Sequence, residues 1–190
     1  SGEKNKIADE PLSLLFVGRL APEKNLPLLL RSVAIIKERS KSFRLRICGE
    51  GNDAYKSKLK QLINNLDISE QVEFLGYDKN WHLLASSSLC LLLPSKSEGT
   101  ANVVIESLSI GLPVIISNIP MSRSILSNKV NALIVRREDP VEWAETIIHL
   151  FENEILSDQI KRNGIEYSKE FSIDKMVSSY EKSYNQIKKK

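Results

Sequence analysis

Two short segments of the 190-residue chain place charged side chains where they could grip a phosphorylated ligand. The first is Gly18-Arg19-Leu20-Ala21-Pro22-Glu23-Lys24-Asn25. Arg19 offers a planar fork that matches two phosphate oxygens, and Lys24 a compact mobile charge, so together they form a candidate diphosphate clamp. Two solvated surface cations would give the same spacing. The second segment is Pro94-Ser-Lys-Ser-Glu98-Gly99-Thr100-Ala101-Asn102-Val-Val-Ile-Glu106. Gly99 lets a ligand approach the backbone closely. A helix starting between Thr100 and Asn102 would present free amides and the positive end of its dipole, a natural anion site. Glu106 lies one turn beyond Asn102 on the same face, suited to accept hydrogen bonds from ribose hydroxyls. A capping residue followed by an exposed helical glutamate is the plainer reading of that pair.

Other chemistries find less support. His82 and His149 are far apart and lack neighbouring ligands at metal-binding spacing, so no metal site is expected. Cys48 and Cys90 fall inside apolar runs and read as buried free thiols of a reducing compartment. The net charge of +3 is mild, and aromatic residues make up 6%. Nucleic-acid binding would require a basic stripe with interleaved aromatics, and none is expected here. The terminal Lys188-Lys189-Lys190 reads as a frayed, solvated end. No run approaches the roughly 20 apolar residues that span a bilayer. The polar opening shows no secretory pattern, Ser1-Gly2 reads as an expression scar, and residues 1–11 are expected to be a disordered tail.

The elements that must position these residues follow from the apolar pattern. Short apolar runs lie at Leu12–Val17, Phe43–Cys48, Val72–Leu75, Leu89–Leu93, Val114–Ser117 and Ala132–Val135. They are continuous, not alternating, as in strands buried on both faces. Amphipathic stretches separate them. A helix is predicted from Asn25, as its cap, with Leu26, Leu29, Leu30, Val33 and Ile36 as the buried stripe. Further helices are predicted over Ala54–Leu66, Trp81–Ala85, Ala101–Ile110, Val141–Phe151, Ile155–Tyr167 and Ile173–Ile187. In the helix over Ala101–Ile110, Val103, Leu108 and Ile110 are assigned to the buried side. Asp139 caps a helix whose first position is Pro140. Strand and helix in alternation predict one α/β domain over 12–190, a Rossmann-like doubly wound parallel sheet of about six strands with helices on both faces. Ligands of such sheets bind beyond the carboxyl ends of the strands where strand order reverses, which directs attention to the residues after Val17, Cys48, Leu75, Leu93 and Ser117.

In order and spacing these segments resemble the carboxyl-terminal domain of glycosyltransferase family four, of the GT-B fold. The resemblance rests on Gly18-Arg19-Leu20…Lys24, on Glu98 and Glu106 with seven residues between them, and on Gly111-Leu112-Pro113-Val114. Ile47-Cys-Gly-Glu-Gly51, Val72-Glu-Phe-Leu-Gly76, Leu93-Pro-Ser95 and Asn131-Ala-Leu-Ile-Val135 agree, so it runs from about Leu12 to Tyr184. It implies a retaining transferase that moves a hexose from a nucleotide-diphosphate sugar to a glycan or lipid-linked acceptor, with no cofactor and no metal. The donor would be GDP-mannose or a UDP-hexose. By the resemblance, Arg19 and Lys24 hold the diphosphate and Glu106 the ribose, with Gly18 also in the donor site. Glu98 holds the donor sugar, and Gly99, Thr100, Ala101 and Asn102 complete the site. Phe74 and Leu75 lie in the region lining the base, and Arg19, Lys24 and Glu98 are the residues implied to act in catalysis.

Many relatives carry an aromatic residue and a glycine where Thr100-Ala101 stand here, which leaves the sugar open. The resemblance also implies an amino-terminal acceptor-binding domain, expected to be absent from this chain, so that the fragment alone would bind donor without transferring it. The last helix, with Ile173, Met176, Val177, Tyr180, Tyr184 and Ile187 as its stripe, would pack here or on that other domain. The implied setting is bacterial lipopolysaccharide or surface-polysaccharide assembly in the cytoplasm, at the inner face of the membrane if the full-length protein associates with it peripherally.

Three other readings stay open. Gly49-Glu-Gly51-Asn-Asp-Ala54 fits a loose dinucleotide-binding fingerprint, but on the second strand, not the first. A non-catalytic nucleotide-binding module and a nucleotide-sugar epimerase-like domain would share the architecture.

Overall fold

In a computed structural model of the chain, residues 12–39, 42–99, 102–136, 138–171 and 175 are described. The terminal stripe expected over 173–187, the tail over 1–11, and Thr100 and Ala101 lie outside them. Six strands form one sheet: β1 (Leu12–Val17), β2 (Phe43–Cys48), β3 (Val72–Gly76), β4 (Cys90–Leu93), β5 (Val114–Ser117) and β6 (Leu133–Val135). Every pairing is parallel, and the order is β3-β2-β1-β4-β5-β6. This is the doubly wound Rossmann-like order, and strand order reverses between β1 and β4.

Among the described residues, six α-helices cover the sheet: α1 (Leu26–Glu38), α2 (Asp53–Asn65), α3 (Asn102–Ser109), α4 (Pro120–Ile125), α5 (Pro140–Glu152) and α6 (Glu154–Ser168). Leu14 and Phe16 of β1 point into a core shared with α1, α2 and α5, where Leu29, Val33, Trp143 and Ile147 are fully buried. Leu15 points to the opposite face, into a second core with Val104 and Leu108 of α3 and Trp81. Two cores on opposite faces are why β1, β4 and β5 read as unbroken apolar runs. Strand β2 departs from that expectation. Arg44 is exposed, and the half-buried Arg46 donates to Ser87 Oγ at 2.9 Å, so this strand alternates on one face.

Local rules set several of the ends. Asp139 accepts from Val141 N at 2.9 Å, capping α5 with Pro140 at its first position. Helix α3 closes in a Schellman arrangement: Gly111 N donates to Leu108 O, Leu112 N donates to Ser107 O, and Gly111 takes a φ of 72°. That stop turns the chain directly into β5.

Three sequence expectations are corrected. Asn25 does not cap α1 through its side chain; it stands in the left-handed region (φ 51°) as the joint between a 3-10 turn over Pro22–Lys24 and the helix. The buried side of α3 is Val104, Ser107 and Leu108, because the helix starts at Asn102; Val103 is half-buried and Ile110 exposed. Helix α4, between β5 and β6, carries no apolar period and is not predicted at all. Its six residues are held by Ser122, whose buried hydroxyl bonds Ser117 O and Ile119 O and accepts from Ile119 N. Among the described residues, no helix is long and apolar enough to cross a membrane.

Candidate functional site

The carboxyl ends of β1 and β4 carry the two charged segments to the switch point. After β1, Gly18 N donates to Cys48 O at 2.9 Å and Leu20 N donates to Glu50 O at 2.7 Å, so the loop runs on beside the exit of β2. It then tightens into the 3-10 turn ending at Lys24. After β4, Lys96 N donates to Glu23 O at 2.8 Å, fastening the second loop to that turn. One backbone bond therefore joins the two segments beside the residues of interest.

Lys24 and Glu98 meet there. Lys24 Nζ lies 2.6 Å from Glu98 Oε1 and 2.7 Å from Oε2, and both side chains are largely buried, 17% and 10% exposed. Ser95, wholly buried, donates its hydroxyl to Glu98 Oε1 at 2.6 Å. The carboxylate is thus oriented from two sides, by a cation and by a hydroxyl.

Arg19 is placed differently. Its side chain is 73% exposed, with Nη2 2.5 Å from Glu23 Oε1. The Glu23 carboxyl is held below its ordinary range, first by a backbone hydrogen bond and then, against some desolvation, by the Arg19 guanidinium. The pair is solvent-screened and holds Arg19 only loosely.

Beside these groups lies a cleft of about 590 Å³ between the exits of β1, β2 and β3. Gly18, Arg19 and Glu106 line it, with Cys48, Gly49, Glu50, Tyr77, Asp78, Lys79 and Trp81 as its other principal walls. Gly18 connects it to the ion pair: a Cβ there would stand 3.8 Å from Lys24 Cε. Arg19, Lys24, Glu98 and Glu106, spread over nearly ninety positions, are therefore gathered at one rim of the sheet. Asn102 begins α3 and is exposed, and Gly99 is exposed with open space around its Cα. Phe74 is half-buried and packs into the core with α1 and α2. Leu75 is the extra residue where β3 slips its register against β2, so that Cys48 pairs with Gly76. The cleft wall comes from the next residues, Tyr77 to Lys79, aimed by Gly76 at φ 72°.

Sequence reasoning did not single out Tyr77, Asp78, Lys79, Trp81 or Ser95. The signal that finds Tyr77–Lys79 is positional: they follow a strand end on the binding edge. Nothing in residue spacing reveals that Ser95 and Lys24 share one carboxylate.

The geometry also explains Gly49 and Gly51. A Cβ on Gly49 would fall 1.8 Å from Gly18 O, and one on Gly51 2.2 Å from Leu20 O. These glycines admit the neighbouring backbone, not a pyrophosphate, which removes the basis for the dinucleotide-fingerprint reading. Cys48 and Cys90 are free and buried, and burial pushes both thiols up. Among the described residues, no group of three or more His, Cys, Asp or Glu side chains stands together.

Comparison with known proteins agrees with this arrangement. The family model of glycosyl transferases group 1 matches residues 2–167. A glycosyltransferase of Methanocaldococcus jannaschii is 29% identical over 173 residues, 91% of this chain and 48% of that protein. The O-antigen chain mannosyltransferase RfbU of Salmonella typhimurium is 31% identical over 152 residues, 78% of this chain and 40% of its own. Among solved structures, Anabaena HepE in complex with UDP-glucose superposes with a TM-score of 0.86 at 19% identity, over 94% of this chain and 50% of that one. The chain spans about half the length of these relatives. With a group 1 match over nearly its whole length and the fold of GT-B glycosyltransferase structures, the chain belongs to the group 1 glycosyltransferases.

Proposed function

We propose that this chain is the donor-binding half of a retaining, metal-independent hexosyltransferase. It binds a nucleotide-diphosphate sugar at the β1/β4 switch point and works with an amino-terminal domain that carries the acceptor. The observation that carries the reading is a cleft of about 590 Å³ lined by Gly18, Arg19 and Glu106, within the size range that holds such ligands, with the Lys24–Glu98 pair adjoining it at Gly18.

The diphosphate enters beside Gly18, where Arg19 and Lys24 face it. Departure of the nucleoside diphosphate builds charge on its terminal phosphate, and two cations stabilise that charge, the task a divalent ion performs in other transferases. Arg19 is free to swing, since Glu23 holds it only through an exposed contact. Glu106, on the cleft wall, accepts from the ribose hydroxyls. Glu98, oriented by Ser95, accepts from hydroxyls of the donor sugar.

The relatives support the choice of sugar chemistry. RfbU is an O-antigen chain mannosyltransferase, WclY of Escherichia coli an O-antigen biosynthesis glycosyltransferase, and HepE crystallises with UDP-glucose. On that basis the donor is GDP-mannose or a UDP-hexose, and the acceptor a glycan or lipid-linked intermediate of surface-polysaccharide assembly at the inner face of the membrane. Thr100-Ala101, outside the described residues, belong to the same sugar site.

Thermal shift against UDP, GDP, ADP and their sugars, with a chelator present throughout, tests the proposal. A ligand that binds only the folded chain at a hundred times its Kd adds about 2.7 kcal/mol, roughly a 5 °C rise or more for a chain of this size. A shift with one base, kept in chelator, is the expected outcome. No shift with any of them would sink the donor site.

A further inference from the structure

The residues assigned to the diphosphate and to the sugar of the donor are engaged with each other. Glu98 clasps the Lys24 ammonium with both oxygens, at 2.6 and 2.7 Å, where neither side chain is more than 17% exposed. Among the described residues, Glu98 has one other hydrogen-bond donor, Ser95 Oγ at 2.6 Å, and Ser95 is wholly buried. The backbone bond from Lys96 N to Glu23 O holds the two loops in this register. The pair is thus fixed by its surroundings, not by chance encounter of two long side chains.

From this contact we infer that Glu98 makes the site select the intact nucleotide-sugar over the bare nucleoside diphosphate, with Lys24 as the shared group. The inference rests on the donor-site reading above. A diphosphate that draws on Lys24 takes positive charge away from Glu98 and sets a second anion next to a carboxylate in a poorly solvated place, which is unfavourable. A bare nucleoside diphosphate has nothing to give Glu98 in return. An intact donor does: its sugar hydroxyls donate to the carboxylate as the ammonium turns to phosphate, and no polar group is left unpaired. The same carboxylate would therefore weaken retention of the leaving nucleotide once the sugar has gone.

The contact predicts opposite signs for the two ligands. Glu98→Gln keeps the shape and can still accept from Lys24, but removes the negative charge. UDP or GDP, whichever the wild-type chain binds, is expected to bind Glu98→Gln about tenfold more tightly, a modest effect for one charge beside a partly solvated phosphate. UDP-glucose or GDP-mannose is expected to bind no more tightly than before, so the preference for intact donor falls at least tenfold. On a Lys24→Gln background, the same Glu98→Gln change is expected to give a clearly smaller gain in nucleoside diphosphate affinity, because the shared group is gone and only the direct repulsion between carboxylate and phosphate is left to relieve.

Isothermal titration of the four proteins, each first checked for an intact melting transition, reads all of these affinities. Should Glu98→Gln fail to fold, Glu98→Ala and Ser95→Ala take its place. Glu98→Ala is then expected to tighten the bare diphosphate. Ser95→Ala, which leaves Glu98 more dependent on Lys24, is expected to weaken it. Unchanged or weaker binding of the bare diphosphate to either Glu98 variant overturns the inference and leaves the donor site standing. So does an equal gain on the Lys24→Gln background. No nucleotide binding to the wild-type chain overturns both.

Discussion

Arg19 and Lys24 sit five positions apart in the sequence, yet the fold gives them different physical roles. Arg19 is 73% exposed and its partner Glu23 is screened by solvent, so removing its guanidinium should hardly affect the fold. Arg19→Ala is expected to change stability by less than about 0.5 kcal/mol. It should also weaken nucleoside diphosphate binding by about tenfold or more, the worth of a charged hydrogen bond, while sparing the nucleoside. Equal losses on both ligands would remove Arg19 from the phosphate site. Lys24 is half of a largely buried pair, and Lys24→Ala removes the cation from Glu98 while leaving it the Ser95 hydroxyl. That variant should therefore lose both ligand and about 1–3 kcal/mol of stability, short of a fully buried pair because some solvent reaches it. Glu106 stands on the cleft wall and is exposed. Glu106→Gln should weaken a ribonucleoside diphosphate several-fold and leave its 2′,3′-dideoxy analogue nearly unaffected; similar losses on both would end the ribose assignment.

At the scale of elements, the site depends on how closely three strand exits approach. Gly49 N donates to Gly76 O at 2.7 Å, and a Cβ on Gly49 would press to 1.8 Å from Gly18 O. Gly49→Ala must therefore push the loop after β1 away from β2, and Arg19 and Lys24 with it. The expected cost is about 3 kcal/mol or more, the range for a steric clash with backbone that cannot relax, together with loss of nucleotide binding. Chemical denaturation measures the first, and a variant as stable as wild type would show that this approach does not set the site. The framework of this arrangement was legible from the chain alone: the strand runs, their carboxyl-end loops and the capped helices follow from local chemistry such as Asp139-Pro140 and Gly111. Helix α4 was not legible, since six residues held by one buried serine leave no period. The grip of Lys24 on Glu98 was not legible either. It joins residues 74 positions apart through a loop crossing that only the assembled β1 and β4 create. Tyr77 to Lys79 wall the cleft just beyond Phe74-Leu75, past a register slip at Leu75 that spacing cannot foresee.

For the whole molecule, titration sets a window of stability whose two limits have different sources. On the acid side, Asp67 is held below its ordinary range by the hydrogen bond and charge of Lys37, Glu166 by Lys169, and Glu23 by a backbone hydrogen bond and Arg19. Each lowered carboxyl means that the unfolded chain binds protons first as pH falls. That stability is present above the unfolded values, near 4, and is lost as pH drops through the lower folded ones. Asp67 and Glu166 are exposed and Glu23 is partly so, so the acid limb should be shallow and flatten further in high salt. On the alkaline side, desolvation raises Cys90 and Cys48, with Cys90 fully buried in the sheet. A raised thiol stays neutral in the fold while the unfolded chain ionises, so stability is complete below about pH 8.5 and declines as pH climbs beyond it. The melting temperature should therefore rise from pH 3 to 5, hold between 6 and 8, and fall above 9. Cys90→Ala assigns the alkaline limb: it should melt lower than wild type at pH 7, from the small cavity it leaves, but lose less on going from pH 8 to 10.5. Parallel wild-type and Cys90→Ala curves across that interval would transfer the alkaline loss to other groups and break the link between the buried centre of the sheet and the pH limit of the fold.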